Sequence, residues 1–241
     1  MLTGRPFLHN TFTASLLLPV LLSISSLFSP AVCADSPKRE ILAVFGIHQD
    51  IGFMDDYETM MRDYRERMKD YLDLMDKYPQ LTLNWGNLYN LNDFLEYFPE
   101  QKARIKALTD RGRISYPAQW VAYEPDWTPG EYIVRQTGYS IAYLKKQFGY
   151  RPTWCHLLDV PSITPQYAQI LNKSGIKMSL LHFNYHNPDY ARNFAPPGLA
   201  INAEDALRGG VYEYVGLDGS GIIGYLGKEH YSMLLVAFGW G

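Results

Sequence analysis

A histidine and an aspartate directly follow an apolar run near the start of the chain, in the stretch GIHQDIGF (residues 46–53). His48 and Asp50 are two residues apart. If the extended geometry of residues 41–45 continues, both side chains leave the same face. An imidazole and a carboxylate suit Zn²⁺, Mn²⁺ or Co²⁺, but two ligands do not complete a site. The same pair could also be a capping aspartate and a hydrogen-bonded histidine in a strand–helix turn.

A third acidic ligand ends a second apolar run, PTWCHLLD (residues 152–159). Asp159 closes this run, and with His48 and Asp50 it would give a divalent cation three ligands. His156 lies three residues earlier, so on a regular strand its side chain points to the opposite face. We therefore expect His156 to be a core histidine or one that supports the site.

Further polar and aromatic residues stand where other predicted strands end. They are Asn84, Trp85 and Asn87 at the end of the strand over 81–85; Gln119, Trp120 and Tyr123 at the end of the strand over 113–120; and His182, Asn184 and His186 at the end of the strand over 176–183. The amino ends carry Arg113, Arg151 and Lys177, which we expect to be solvent residues. Because chemistry in a parallel barrel gathers at the carboxyl ends of the strands, this asymmetry predicts a site there. Trp85, Trp120 and Trp127 could stack on sugars, although each could equally be an aromatic at a core edge.

The elements that must position these residues alternate between strand-like and helix-like segments. A methionine and tyrosine stripe from Tyr57 to Met75 has the spacing of one face of a long helix. Helices are also predicted up to Arg111, over 131–148, near 165–174 and near 203–207, and a hairpin over 210–227 with its turn at Asp218-Gly219. The alternation predicts an α/β fold with parallel strands. Since residues 41–53 contain no glycine-rich phosphate loop and the strands number fewer than eight, we expect an incomplete β/α barrel.

The first 34 residues have the pattern of a secretory signal peptide, with Arg5 before an apolar core and small residues at Val32 and Ala34. We predict a signal peptide over 1–34, a spacer over 35–40 and a catalytic domain over 41–241, in a secreted or periplasmic protein. Removal of Cys33 would leave Cys155, which we expect to be buried. A net charge of −3 does not favour binding to nucleic acid. No segment after residue 34 is predicted to span a membrane.

Five segments, taken in order, resemble glycoside hydrolase family 38 α-mannosidases. HQDIGF is similar to that family's H-x-D-x-G-W opening, and TPGEYIVRQ to its S-G-E-x-x-x-R-Q segment. FGYRPTWCHLLD resembles the F-G-x-x-P strand that leads to the catalytic aspartate, and YEYVGLDGSGI the aromatic-rich D-G-S hairpin. FLEYFPEQKARIKALTDRGRI resembles a helix that starts at proline and is followed by glycine and a strand. The similarity runs from about residue 41 to residue 241.

The resemblance implies a distorted β/α barrel with one divalent ion, usually zinc, with manganese, cobalt or calcium as alternatives, and retaining hydrolysis of α-mannosides in a glycan. His48 and Asp50 would be metal ligands, and Asp159 both a ligand and the nucleophile. Candidate substrate-binding residues are Phe53, which replaces the family's tryptophan, and Trp85, Trp120, His182, Asn184 and His186. The family's acid/base carboxyl and last histidine ligand are expected beyond residue 241.

Two other functions are compatible with the same residues. His182 and His186 form H-x-x-x-H, which, with an aspartate at the first strand end, is similar to metal-dependent polysaccharide deacetylases. Replacing either histidine would abolish metal binding in a deacetylase but only perturb the substrate in a mannosidase. The second alternative is a carbohydrate-binding barrel without catalysis.

Overall fold

The computed structural model describes residues 55–123, 125, 127–160, 164–183 and 210–226, with residues 159, 160, 182, 183 and 226 described by their backbone. Every described residue belongs to a single compact unit. The predicted signal peptide, the strand at 41–47 and the helix near 203–207 lie outside the described residues. The domain bounds at 34 and 40 therefore stay predictions.

The described part of the chain contains helices in the predicted alternation with strands. The helices are α1 (Tyr57–Lys77), α2 (Leu88–Tyr97), α3 (Gln101–Asp110), α4 (Gly130–Phe148) and α5 (Tyr167–Lys173). The strands are β1 (Leu83–Asn84), β2 (Ile114–Ser115), β3 (Trp154–Val160), β4 (Met178–Phe183), β5 (Gly210–Val215) and β6 (Gly221–Leu226). No helix within these ranges is long and apolar enough to cross a membrane.

The described strands form two sheets. β1 pairs in parallel with β2, and the larger sheet has the order β3-β4-β6-β5. β3, β4 and β6 run parallel, whereas β5 runs antiparallel to β6. The Ala118 amide donates to the carbonyl of Trp154 at 2.9 Å, which places the chain after β2 beside β3. The predicted α/β organisation with parallel strands is confirmed, but the described strands do not close into a barrel.

The methionine and tyrosine stripe forms the buried face of α1, as predicted. Met61, Tyr64, Met68, Leu72 and Met75 are all buried. The helix begins after Asp56, whose side chain accepts from the Thr59 amide at 3.0 Å and so satisfies one of the free amides of the first turn. Burial of this face against the residues of β1, β2 and α2 stabilises the helix more than its intrinsic propensity does.

Arg113 lies at the amino end of β2 but is not the solvent residue that the sequence suggested. Its guanidinium donates to the carbonyls of Met75, Tyr78 and Leu81 at distances from 2.6 to 3.2 Å. The last carbonyls of a helix have no partner within the helix, so a cation placed there is stabilised twice, by hydrogen bonds and by the helix dipole. Arg113 therefore ties the end of α1 to the sheet.

The predicted hairpin is confirmed as β5 and β6, and it docks on α5. Its turn uses Gly219 at φ 79° and Asp218, whose carboxylate accepts from the Ser220 amide at 3.1 Å. The Asn172 side chain donates to the carbonyl of Gly221 at 2.7 Å, and Lys173 forms an ion pair with Asp218 at 2.7 Å. These contacts fix the hairpin beside β4.

Gly216 lies in close contact with α5. A Cβ at this position would lie 2.8 Å from both the amide nitrogen and the Cβ of Gln169. We expect Gly216→Ala to lower the free energy of unfolding by about 1–3 kcal/mol, because the contact involves backbone that cannot move aside. Urea denaturation followed by circular dichroism measures this change.

Gly138 provides the matched control, because a Cβ there would meet nothing within 4 Å. It lies inside α4, so Gly138→Ala should raise the free energy of unfolding by about 0.5–1 kcal/mol. Equal effects of the two substitutions would contradict the packing of the hairpin against α5.

Candidate functional site

Asp159 lies at an irregularity of β3, close to its carboxyl end. The parallel register with β4 is regular from Trp154 opposite Met178 to Leu158 opposite His182, and the next pair is Val160 with Phe183. Two residues of β3 thus face one step of β4, and Asp159 is the extra residue. Bulges of this kind occur next to active sites, where they re-aim a side chain.

The bulge changes what the strand pattern predicts for residue 159. Cys155 and Leu157 are fully buried with the helices, whereas His156 and Leu158 on the other face are half-buried. Strict alternation would put residue 159 on the helix-packed face with Cys155, and the bulge removes that constraint. The expectation that His156 and Asp159 point to opposite faces rested on regular alternation, which β3 does not keep here.

The remaining predicted ligands are only partly placed by the structure. His182 lies opposite Leu158, so the backbones of Asp159 and His182 meet at the carboxyl edge of two neighbouring parallel strands. His48, Asp50, Phe53, Asn184 and His186 lie outside the described residues. Within the described ranges, no three histidine, cysteine, aspartate or glutamate residues form a group that could hold a metal. A site at Asp159 would therefore have to include residues outside those ranges, and the donor set of His48, Asp50 and Asp159 has the chemistry that zinc requires.

Trp85 is a core residue, contrary to the expectation that it binds substrate. Its side chain is 0% exposed, stacked at 6.3 Å on Tyr116 and edge-on at 5.8 Å to Phe94. A ring covered on its faces cannot stack on a sugar. The nearby polar residues also serve the fold: Asn84 accepts from the Ser115 hydroxyl, and Asn87 caps α2 by accepting from the Asn90 amide at 3.0 Å.

Trp120 is half-buried at the end of the segment that follows β2. Its ring meets Tyr139 edge-on at 4.6 Å and Tyr143 at 5.1 Å, and its carbonyl accepts from the Tyr89 amide at 2.8 Å. Trp127, in the turn before α4, is 81% exposed. Tyr132 and Tyr139, which the sequence did not mark as candidate site residues, are 44% and 56% exposed. Their spacing of seven residues puts both on the same side of α4.

Cys155 is buried, as predicted, and lies in a polar part of the core. Its Sγ is 3.7 Å from Gln119 Oε1 and 3.8 Å from the carbonyl of Ala118. Burial raises the pKa of the Cys155 thiol to about 11. A protonated, enclosed thiol is not a nucleophile at neutral pH.

The buried thiol predicts slow alkylation of the folded protein. At pH 8 the thiolate fraction of a thiol with pKa about 11 is about a hundredfold below that of one at 9.0. In a Cys33→Ser background, we expect iodoacetamide to label Cys155 at least that much more slowly in native buffer than in urea. The unfolded thiol ionises near pH 9 and the folded one near pH 11, so this group's contribution to stability is present below pH 9 and is lost between those values. Equal labelling rates in buffer and in urea would contradict the burial.

Comparison with known proteins gives one family match. Residues 38–194 match the model of the glycosyl hydrolases family 38 N-terminal domain. The matched range includes Asp159 and ends before the hairpin. No curated protein matches the chain significantly.

Solved structures that share the fold include two from Enterococcus faecalis and one from Thermococcus litoralis. An α-mannosidase from Enterococcus faecalis V583 has a TM-score of 0.64 at 19% identity, over 78% of this chain and 20% of its own. A family 38 glycosyl hydrolase from Enterococcus faecalis has a TM-score of 0.56 at 17% identity, over 76% of this chain and 18% of its own. A 4-α-glucanotransferase from Thermococcus litoralis has a TM-score of 0.52 at 20% identity, over 76% of this chain and 27% of its own. The chain thus spans about a fifth of the length of the first two structures.

Proposed function

Because this chain belongs to glycosyl hydrolase family 38, we propose that it carries part of the catalytic domain of a retaining glycoside hydrolase that acts on α-mannosides. The family match covers both predicted metal-ligand segments, and the α-mannosidase from Enterococcus faecalis V583 shares the fold. A glycan is the proposed substrate. The match favours this function over the deacetylase and over a binding barrel without catalysis.

The observation that carries the proposal is the bulge at Asp159. Asp159, which the resemblance implies is the nucleophile, lies within the region that matches the family and is also the residue at which β3 departs from regular pairing. Bulges are over-represented next to active sites, where they re-aim a side chain, and a nucleophile must be aimed at a bound sugar.

The proposed reaction uses Asp159 as the nucleophile of a double displacement. Its ionised carboxylate attacks the anomeric carbon, the glycosidic oxygen leaves with a proton from a second carboxyl, and water then releases the sugar from Asp159. In retaining enzymes the two carboxyl groups lie about 5–5.5 Å apart. No described residue is assigned to the second carboxyl.

His48, Asp50 and Asp159 are the residues that we propose to hold one divalent ion, with zinc favoured by the imidazole ligand. When bound, such an ion supplies a positive charge that keeps a carboxylate ionised and binds sugar hydroxyls. Phe53, Trp120, His182, Asn184 and His186 remain the proposed substrate-binding residues.

Hydrolysis of an aryl α-mannoside by the full-length protein tests this function. We expect release of the aryl group that falls at least tenfold after treatment with a chelator and returns when Zn²⁺ is added. Aryl β-mannoside and aryl α-glucoside serve as controls for the anomer and the sugar. A folded, zinc-loaded protein that releases nothing from the α-mannoside would refute the mannosidase proposal.

Export from the cytoplasm is a separate proposal, based on the pattern of residues 1–34. Expression of the full-length protein in a secreting host should give a mature chain that begins at Asp35. Amino-terminal sequencing or intact mass measures the cleavage point, and a product that keeps residues 1–34 would contradict the proposal.

A further inference from the structure

The hairpin of β5 and β6 contacts the segment that follows Asp159. Tyr214, near the end of β5, donates its phenolic hydroxyl to the carbonyl of Thr164 at 3.0 Å. Thr164 stands five residues after Asp159 and three residues before α5. The bond therefore joins two positions that are 50 residues apart in the chain, and it lies beyond the carboxyl end of β3, where the proposed nucleophile is.

Tyr214 is a rigid donor because its ring is enclosed. The side chain is 0% exposed, and its ring centroid lies 6.3 Å from that of Tyr167 at the start of α5. Ile222, its partner on β6, is also buried. Leaving a buried hydroxyl without an acceptor costs free energy. This cost favours the position of Thr164 in which its carbonyl meets the hydroxyl.

The hairpin is held by contacts other than the one to Thr164, so it can support that residue. The Asn172 side chain donates to the carbonyl of Gly221 at 2.7 Å, and Gly216 packs against the backbone of Gln169. β6 also pairs in parallel with β4. These contacts fix the position of β5, and with it the position from which the Tyr214 hydroxyl donates.

Thr164 is close enough in the chain to affect Asp159. Four residues, 160–163, connect the two, a span of at most about 18 Å even when fully extended. The Thr164 carbonyl also accepts from the Tyr167 amide at 3.0 Å, which closes the turn into α5. Asp159 is the extra residue of a bulge and has no ladder partner of its own. Its position therefore depends on the segments on either side of it.

We propose that Tyr214 is a positioning residue for the reaction at Asp159. By binding the Thr164 carbonyl, its hydroxyl fixes the far end of the segment that follows the nucleophile. The inference rests on the proposed function, and in this role Tyr214 neither contacts the sugar nor transfers a proton. Because the family match ends at residue 194, the hairpin supplies support for the site from outside the matched range.

Tyr214→Phe tests this role, because it removes the hydroxyl and keeps the buried ring. With an aryl α-mannoside we expect kcat to fall about five- to tenfold, since a small misplacement of a reacting group lowers the rate steeply. KM should stay within about twofold of the wild-type value, because the groups that bind the sugar are unchanged.

Tyr116→Phe is the matched control. Tyr116 is also 0% exposed, and its hydroxyl shares a hydrogen bond of 2.8 Å with that of Thr109 in the core cluster around α1, α2 and α3. Both variants lose one buried hydrogen bond, so both should lower the melting temperature by a few degrees. Only Tyr214→Phe should lower kcat.

Hydrogen exchange followed by mass spectrometry measures the segment itself. A peptide that spans residues 160–170 should exchange about fivefold faster in Tyr214→Phe than in the wild type, as expected for the loss of one hydrogen bond. The same peptide should exchange at the wild-type rate in Tyr116→Phe.

An unchanged kcat for Tyr214→Phe, or an equal loss of kcat in both variants, would overturn the inference. Unchanged exchange of the 160–170 peptide in Tyr214→Phe would overturn it as well. If the wild type hydrolyses no α-mannoside, the proposed function fails, and exchange alone decides whether Tyr214 holds this segment. Faster exchange in Tyr214→Phe but not in Tyr116→Phe would then support Tyr214 as its anchor.

Discussion

The Asp159→Asn variant is expected to lose α-mannoside hydrolysis by on the order of 10⁴-fold in kcat, the loss seen when a member of a nucleophilic unit is removed. An amide has the shape of the carboxylate but carries no charge, so it cannot form the glycosyl-enzyme bond. It is also a poorer ligand for zinc, which favours anionic or imidazole donors. The substitution therefore removes both proposed roles of Asp159 while leaving the strand pairing of β3 intact.

Hydrolysis of an aryl α-mannoside and the zinc content of the purified protein are measured together for this variant. Asp110→Asn is the matched control, because Asp110 lies on the surface at the end of α3 and only pairs with Lys106 at 2.8 Å. The control should keep wild-type rates. A folded Asp159→Asn protein that retains more than a tenth of the activity would show that another group is the nucleophile.

Replacing Trp85 by alanine is expected to lower the free energy of unfolding by about 3–5 kcal/mol, the usual cost of deleting a buried tryptophan side chain. The ring is fully buried between Tyr116 and Phe94, and these rings belong to the core that α1, α2 and α3 share. Urea denaturation of the variant measures the loss. A cost of this size is a large fraction of the stability of an ordinary domain.

Trp85→Phe separates a packing role from a substrate role. Phenylalanine keeps an aromatic ring in the same core, so it should cost far less stability than alanine, and KM for the aryl α-mannoside should stay within twofold of wild type. A several-fold rise in KM without loss of stability would restore Trp85 as a substrate-binding residue.

Much of the fold could be predicted because local patterns and local structure agree. The predicted stripe became the buried face of α1 from Met61 to Met75, whereas its first member, Tyr57, is exposed. Gly149 ends α4 at φ 69°, a conformation that glycine adopts without strain. The Asp218-Gly219 turn joins β5 and β6 as expected. In each case the signal lies within the helix or turn that it predicts.

The features that could not be predicted depend on partners far away in the chain. The bulge at Asp159 exists only relative to β4, and no residue type in CHLLDV marks it. Trp85 is buried because α2 and the residues after β2 close over it, which the pattern of LTLNW does not contain. Arg113 binds carbonyls more than thirty residues earlier in the chain. The sequence therefore predicts where the strands end but not which side chains near those ends are buried.

The order of the larger sheet also determines how this domain can be divided. The family match ends at residue 194, yet β6, residues 221–226, is the strand that pairs with the free side of β4. A protein trimmed at the end of the match would expose the backbone of β4 as an open edge, which invites pairing with other chains and aggregation. On the ribosome the same edge stays open until residue 226 has emerged. Chains stalled between residues 194 and 226 should therefore depend most on a chaperone.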